Sequence, residues 1–203
     1  MSRGVGALVE GSDVLGSLRA LVPARPLTWS EAHVLAERQA TSLLKHMRVD
    51  EPPVPQFVIT SLPRIIVDWR EDWPTSGMTL PTGSIYRIVI RANEPRWRQR
   101  YSLAHEFKHA LDDPFNELLY RHLSQLQADE RAERLCNYFA ACLLMPRAWI
   151  KRDWCAGIQK IDQLARRYYV SCEAMSTRLS ELGLTHMTLA IEPRASRHRG
   201  VVT

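Results

Sequence analysis

Two histidines stand four residues apart in the segment YSLAHEFKHALDD, and a glutamate follows the first of them. These residues are His105, Glu106 and His109. On an α-helix, side chains four residues apart are neighbours, roughly 5 to 6 Å apart, so both imidazoles can direct a ring nitrogen at one metal ion. A glutamate beside the pair can hold a water molecule and take its proton. The spacing therefore predicts a catalytic metal site with two histidine ligands and Glu106 as the general base.

A catalytic zinc ion has three protein ligands and one open position, so a third ligand must come from elsewhere in the chain. The candidates are Asp113, His122 and Glu133. Asp113 is four residues past the second histidine, but such a row on one straight helix is about 12 Å long, too long to surround one ion. Glu133 is favoured because Asn137, one turn further on, can accept the outer N–H of a ligating histidine. His122 and Asp113 stay open as alternatives.

The segments around these residues predict the elements that hold them. We expect a helix from Thr28 with a capping box, strands at FVIT and RIIVDW, and a hairpin over residues 76–92. A helix over about residues 95–113 carries the histidines, a second helix ends before Pro146, and the last of two further short helices is capped by Ser171. Grouped strands followed by helices are typical of an α+β fold. We therefore predict a mostly helical domain with a small three-stranded antiparallel sheet packed on the helices of the site.

Composition excludes several classes of protein. The chain has 203 residues, 45% hydrophobic and 24% charged, which is close to the average of soluble globular proteins. No apolar run is long enough for a membrane helix, and Glu10 and Asp13 interrupt the N-terminal region where a signal peptide needs an unbroken apolar core. We therefore expect a cytoplasmic protein without membrane contact. The net charge of +5 permits contact with nucleic acid but does not demand it.

The cysteines of the chain include no C-x-x-C pair; they are Cys136, Cys142, Cys155 and Cys172. We expect buried, reduced thiols rather than a disulfide framework or a cysteine-type zinc site. Cys136 and Cys142 lie in an apolar helical run, where a free cysteine behaves as a small hydrophobic residue.

Two motifs together resemble the ImmA/IrrE family of metallopeptidases: RYSLAHEFKHAL and ERLCNYFAACLLMP. The family pattern is A-H-E-x-x-H on one helix and E-x-x-A-N-x-F-A-A-x-L-L-M-P on a second. The alanine expected before the asparagine is Cys136 here. The resemblance implies a gluzincin-like site in a zincin-like domain, with His105, His109 and Glu133 as zinc ligands. It also implies that Glu106 is the general base and that the substrate is a helix-turn-helix repressor, cleaved at one site. Mn²⁺ or Fe²⁺ could occupy the same ligands.

Two features of a substrate site are left open by the sequence. The strand IYRIVIRA, just before the histidine helix, is either a sheet edge that pairs with an extended substrate or a plain core strand. A side chain that donates a hydrogen bond to the oxyanion is usual in such sites. The residues that could do so are Tyr101, Tyr120, His122 and Tyr138.

The domain boundaries that we predict begin with a flexible lead-in over residues 1–26 and a zincin-like domain over residues 27–153. A helical hairpin over residues 154–188 and a basic tail over residues 189–203 follow. The hairpin has the shape of a helix-turn-helix. A DNA-binding regulator, or a module that docks on a repressor, with the metal site structural, is therefore the alternative hypothesis. The second helix of the hairpin, CEAMSTRLSEL, carries one arginine and two glutamates, which is unfavourable for contacting phosphates, so we favour the peptidase.

Overall fold

Helices pack around a small three-stranded sheet in the computed structural model, which describes residues 13–121 and 123–184. The helices are α1 (Val14–Arg19), α2 (Trp29–His46), α3 (Phe57–Thr60), α4 (Arg96–Asp112), α5 (Asn116–Tyr120), α6 (Gln125–Leu144), α7 (Arg147–Cys155), α8 (Ile161–Tyr168) and α9 (Cys172–Glu181). The strands are β1 (Ile65–Arg70), β2 (Gly77–Thr82) and β3 (Ile85–Arg91). One turn of 3-10 helix, Asp113–Phe115, follows α4. The predicted α+β class and the predicted order of helix, sheet and helices are confirmed.

The sheet is mixed, so the prediction of a wholly antiparallel sheet was wrong. The strand order is β1–β3–β2, with β2 and β3 antiparallel and β1 parallel to β3. The predicted hairpin is present and turns at Gly83, whose φ of +61° lies in the left-handed region that glycine readily adopts. Residues 71–76 carry the chain from β1 to the far edge, which makes the following β3 parallel to β1. Because β3 is the central strand, the hypothesis that IYRIVIRA is a sheet edge was also wrong.

The segment FVIT forms α3 rather than a strand. The amides of Ile59 and Thr60 both donate to the carbonyl of Gln56, each at 3.0 Å, which closes one helical turn. The adjacent side chains of Val58 and Ile59 are both buried. A four-residue apolar run fits a buried helical turn as well as a strand, so its composition alone could not decide between them.

The predicted lead-in differs from the structure over residues 14–19, which form α1. Asp13 caps this helix by accepting a hydrogen bond from the amide of Gly16 at 3.0 Å, and Leu15 and Leu18 are buried. Arg19 then donates to the carbonyls of Ala110 at 2.7 Å and Leu111 at 3.3 Å. These carbonyls belong to the last turn of α4, where a helix has no internal donors left. α1 therefore fixes the end of the helix that carries the two histidines.

Helix caps that the sequence predicts are present. Thr28 and Glu31 form a capping box at the start of α2, and Ser171 accepts from the amide of Ala174 at the start of α9. A second capping box, Ser124 with Gln127, starts α6 a few residues earlier than the sequence suggested. Within the described residues, none of these helices combines the length and apolar character that crossing a membrane requires.

Candidate metal centre

Two long helices, α4 and α6, bring the predicted site residues together. Their packed faces are small or aromatic: Ala104 and Ala140 are fully buried, and the rings of Phe107 and Phe139 lie 6.1 Å apart between centroids. Close packing of this kind holds the helices in a fixed relation, because an interior filled to crystal-like density resists displacement. The side chains that project from the edge of this contact therefore have defined positions relative to one another.

His105 and His109 on α4 and Glu133 on α6 point their donor atoms at one place. The two histidine Nε2 atoms are 3.1 Å apart. Glu133 places one carboxylate oxygen 3.3 Å from His105 Nε2 and the other 3.2 Å from His109 Nε2. Zinc bonds of about 2.0 to 2.1 Å in a tetrahedron separate neighbouring ligand atoms by about 3.3 Å. The distances between these atoms are thus close to the spacing of zinc ligands, with a different carboxylate oxygen of Glu133 near each histidine.

Asn137 orients the first histidine of this group. Its side-chain oxygen lies 3.1 Å from His105 Nδ1. An amide oxygen can only accept, so Nδ1 carries the hydrogen and the lone pair of Nε2 faces the other donors. The hydroxyl of Tyr101 donates to the backbone carbonyl of Asn137 at 3.1 Å, which supports the turn of α6 that carries the amide.

His105 and Glu133 shift each other's pKa in the direction that favours their charged forms. Burial of the His105 ring opposes its charged form, but the hydrogen bond and charge of Glu133 outweigh burial and raise the pKa of His105. The same hydrogen bond holds the pKa of Glu133 below its ordinary value. The two shifts together favour a protonated His105 beside an ionised Glu133.

Glu106 lines the same cavity as His105 and is held by a different element. The hydroxyl of Thr79 on β2 lies 2.9 Å from Glu106 Oε2 and 2.7 Å from its backbone carbonyl, so it can donate to either oxygen. Gly77 leaves room for the carboxylate, since a Cβ there would lie 2.7 Å from Glu106 Cγ and 2.9 Å from Oε1. Sequence reasoning missed both residues, because only the packing of β2 on α4 brings them to the site.

Of the alternative third ligands, the structure describes only Asp113. Asp113 follows the end of α4, and its carboxylate accepts a hydrogen bond from Tyr86 at 2.9 Å. His122 lies outside the described residues. A further donor that the sequence analysis treated as a plain hydrophobic residue is Cys136, whose Sγ forms a group with ring nitrogens of both histidines in which all atoms lie within 4.8 Å of one another.

All four cysteines are free thiols, as expected. Cys136 and Cys142 are buried, whereas Cys155 and Cys172 are exposed, so the prediction of burial was wrong for the latter two. Burial raises the pKa of the Cys136 thiol well above its ordinary value. In the absence of a metal ion this thiol is therefore protonated.

Two cavities open on either side of the metal centre. The first cavity, about 790 Å³, is lined by His105 and Glu106 and extends between α2, α4, α6 and α9 past Tyr138 and Thr177. The second cavity, about 350 Å³, is lined by His109, Glu133 and Cys136 and again by Glu106. Glu106 and Gly77 border both cavities.

The tyrosines considered as oxyanion donors have different surroundings. Tyr101 donates to Asn137, and Tyr138 lies 3.4 Å from a carboxylate oxygen of Glu37. Tyr120 lines the second cavity, and its buried hydroxyl has no hydrogen-bond partner within the part of the chain that the structure describes. Burial raises the pKa of the Tyr120 hydroxyl above its usual range, so it keeps its proton and can only serve as a donor or weak acceptor.

The family model described as the IrrE N-terminal-like domain, Peptidase_M78, matches residues 66–180, more than half of the 203-residue chain. The chain belongs to this family. The match includes both site helices, α8 and all but the last residue of α9, and it confirms the resemblance to the ImmA/IrrE metallopeptidases. The His105, His109 and Cys136 group is a candidate metal-binding cluster that agrees with a metallopeptidase.

Solved structures give a second comparison. A Mycobacterium tuberculosis transcriptional regulator is similar in fold, with a TM-score of 0.56 and 20% sequence identity over 82% of this chain and 52% of that chain. The chain therefore spans about half the length of that structure. None of the curated proteins matches this chain significantly.

Proposed function

We propose that this protein is a zinc-dependent metallo-endopeptidase of the cytoplasm that hydrolyses a peptide bond in a regulatory protein. The observation that carries this proposal is the convergence of the two histidine Nε2 atoms, 3.1 Å apart, on the carboxylate of Glu133, whose two oxygens lie 3.3 Å from His105 Nε2 and 3.2 Å from His109 Nε2. Glu106 lines the same cavities. The substrate class that we infer from the family resemblance is a helix-turn-helix repressor.

The donor set fits zinc. Two imidazoles and one carboxylate are the protein ligands of catalytic zinc in several metallopeptidases, and they leave one position open. A zinc ion there would supply Lewis acidity to a substrate carbonyl and bring the pKa of a bound water molecule near neutrality. The hydrogen bond from His105 Nδ1 to Asn137 keeps the correct tautomer for this ligation.

Glu106 is the residue that moves the proton. Its carboxylate would accept a proton from the attacking water and pass it to the leaving amine as the peptide bond breaks. Thr79 holds Oε2 from the strand side, and Gly77 has no side chain that could push the carboxylate away. Only about a tenth of Glu106 is exposed, at 9%, so bulk water has little competing access.

The first cavity supplies a place for the substrate. Its volume of about 790 Å³ is in the range of about 300 to 1,000 Å³ that is typical of ligand sites. α9 forms one wall through Ala174, Thr177 and Glu181, and α2 and α6 form another. A peptide segment bound along this cavity would bring a carbonyl to the metal centre at its end.

The alternative, a DNA-binding regulator that uses the α8–α9 hairpin, has less support. The arginines of the hairpin are engaged within the protein: Arg166 with Asp162, Arg167 with Asp153, and Arg178 with Glu181. Arg178 is 1% exposed and also donates to the carbonyl of Met145 at 3.2 Å. A buried side chain such as Arg178 is poorly placed to reach phosphates, which are the main source of affinity for nucleic acid.

The test compares the zinc-loaded wild type with Glu106→Gln, which keeps the size of the side chain but cannot take a proton. Both proteins are incubated with a proteome extract of the source cell and with purified helix-turn-helix repressors. New N-termini are then identified by mass spectrometry. We expect cleavage by the wild type only, with a loss of at least about 100-fold in the variant and equal zinc content in both.

A cleavage that is equal in the two proteins would contradict the role of Glu106, and no specific new N-terminus with either protein would contradict the peptidase. A salt-sensitive mobility shift of duplex DNA by the wild type would support the regulator instead.

A further inference from the structure

We propose that the thiol of Cys136 is a fourth protein donor to the metal ion, and that it makes the centre select zinc over harder divalent ions. This inference rests on the metal site of the proposed function. It goes beyond that function by assigning a ligand and a metal preference. The three principal donors alone would also accept Mn²⁺ or Fe²⁺.

The geometry places the thiol beside the other donors. Cys136 is three residues after Glu133 on α6, so both side chains leave the helix on the same face. Its Sγ and a ring nitrogen of each histidine all lie within 4.8 Å of one another. A zinc–sulfur bond of about 2.3 Å in a tetrahedron puts sulfur about 3.5 Å from each ligating nitrogen, so a movement of about 1 Å suffices.

The lining of the second cavity also places Cys136 beside the other metal donors. Cys136 borders this cavity together with His109 and Glu133. Cys136 is only 1% exposed, so its thiol has little contact with bulk water. Cys142, six residues further along α6, is also a buried free thiol but lines a different cavity beside Glu37 and Arg147. The chain thus contains a matched thiol on the same helix that does not border the metal centre.

When the ion binds, the thiol exchanges its proton for a bond to the metal. The S–H bond breaks, its proton leaves to the solvent, and the sulfur lone pair forms a bond to the ion, with no change of oxidation state. Thiolate sulfur favours zinc and cobalt, whereas manganese and magnesium prefer oxygen ligands. Catalytic zinc can expand to five ligands, so a fourth protein donor still leaves room for a water molecule.

The experiment loads the full chain with Co²⁺ and with Zn²⁺ and compares wild type, Cys136→Ala and Cys142→Ala. Co²⁺ bound to sulfur has a thiolate-to-metal charge-transfer band in the near ultraviolet. We expect this band in the wild type and in Cys142→Ala, and its loss in Cys136→Ala. X-ray absorption of the zinc forms should show a sulfur neighbour at about 2.3 Å in the same two proteins only.

A competition between Zn²⁺ and Mn²⁺ measures the selectivity. We expect Cys136→Ala to lose about tenfold of the wild-type preference for zinc, and Cys136→Ser, which replaces sulfur with oxygen, to lose a similar amount. The serine variant keeps the size and helps to distinguish lost ligation from disturbed packing, which circular dichroism also checks.

The results separate this inference from the proposed function. Metal binding through nitrogen and oxygen alone in the wild type, with no effect of Cys136→Ala, overturns the fourth donor but keeps the metallopeptidase site. An absence of metal binding in all the proteins overturns both.

Discussion

Helix α4 carries two polar pairs with the same four-residue spacing, and the protein uses them in opposite ways. His105 and His109 are partly exposed and direct free nitrogen lone pairs at a shared place beside two cavities. Lys108 and Asp112 are buried at 0% and 3% exposure, and the lysine Nζ lies 2.5 Å from the carboxylate. The first pair faces open space, whereas the second pair is an ion pair within the protein, although Asp112 Oδ2 has no hydrogen-bond partner among the described residues.

What lies opposite each pair explains the difference. Lys108 also donates to Gln39 on α2 at 2.8 Å, and Gln39 in turn donates to the carbonyl of Leu18 at 3.2 Å. The ring of Phe139 lies 5.7 Å from the lysine Nζ and covers it from α6. Around the histidines, by contrast, the polar groups of Glu133 and Asn137 approach from α6 and leave an open centre. Spacing creates a pair on a helix, but the neighbouring elements determine whether it serves structure or chemistry.

Removing one member of the buried pair should have the largest effect on stability. Lys108→Ala would leave Asp112 as an uncompensated buried carboxylate, which we expect to lower the free energy of unfolding by about 3 to 5 kcal/mol. Chemical denaturation measures this change. Lys45→Ala, which removes an exposed lysine of α2, is the matched control and should change stability by less than about 0.5 kcal/mol.

If the single variant does not fold, the double variant Lys108→Met with Asp112→Leu still tests the comparison. Replacing both charges with apolar groups should restore most of the stability, because neither leaves a buried charge unpaired. A double variant that is as unstable as Lys108→Ala, or a single variant as stable as the wild type, would show that the ion pair is not what holds this side of α4.

Changing Asn137, which supports His105, should change the affinity of the site for zinc. Asn137→Ala removes the acceptor for His105 Nδ1, and we expect zinc binding to weaken by about 10- to 100-fold with little change in the fold. Asn137→Asp keeps an acceptor and should retain nearly all of the affinity. Titration with a zinc-sensitive competitor dye measures both values. Equal affinity in wild type and Asn137→Ala would contradict an orienting role for the amide.

Removing the partly exposed ion pair between Arg147 and Glu37 should have the smallest effect on stability. Arg147 donates to both carboxylate oxygens of Glu37, at 2.7 and 3.1 Å, and this bonding lowers the pKa of Glu37 despite the opposing effect of partial burial. A carboxylate with a lowered folded-state pKa stabilises the protein above its unfolded-state pKa. That contribution is lost as the pH falls through the folded-state value.

Glu37→Gln should therefore be less stable than the wild type near neutral pH, by about 1 kcal/mol or less. The difference should shrink as the pH is lowered below the ordinary glutamate value of about 4.3. Thermal unfolding of both proteins across this range measures the difference. A gap that stays constant into strongly acidic solution would exclude ionisation of Glu37 as its cause.

The sequence predicted the parts of the molecule that depend on local spacing. The histidine pair with Glu106 follows from one helical turn, and the Glu133–Asn137 pair follows from another, so the order of residues along the chain is enough to locate both. The caps at Thr28 and Ser171 are equally local, because a cap involves residues only a few positions apart.

The parts that the sequence did not predict depend on contacts between distant elements. Thr79 reaches Glu106 only because β2 packs on α4, and Arg19 reaches the end of α4 only because α1 packs there. The parallel pairing of β1 with β3 likewise depends on where residues 71–76 carry the chain. Cys136 was treated as a small hydrophobic residue, since nothing in its spacing shows that it borders the second cavity.

The most direct test of the central claim is the metal content of three proteins purified side by side: wild type, Glu133→Ala and Glu130→Ala. Glu130 is an exposed acid one turn before Glu133 on α6, so its variant is the matched control. We predict about one zinc per chain in the wild type and the control, and a loss or marked weakening in Glu133→Ala. A wild type that holds no metal after zinc is supplied, or a Glu133→Ala variant that holds it as tightly as the wild type, would contradict the three-ligand site.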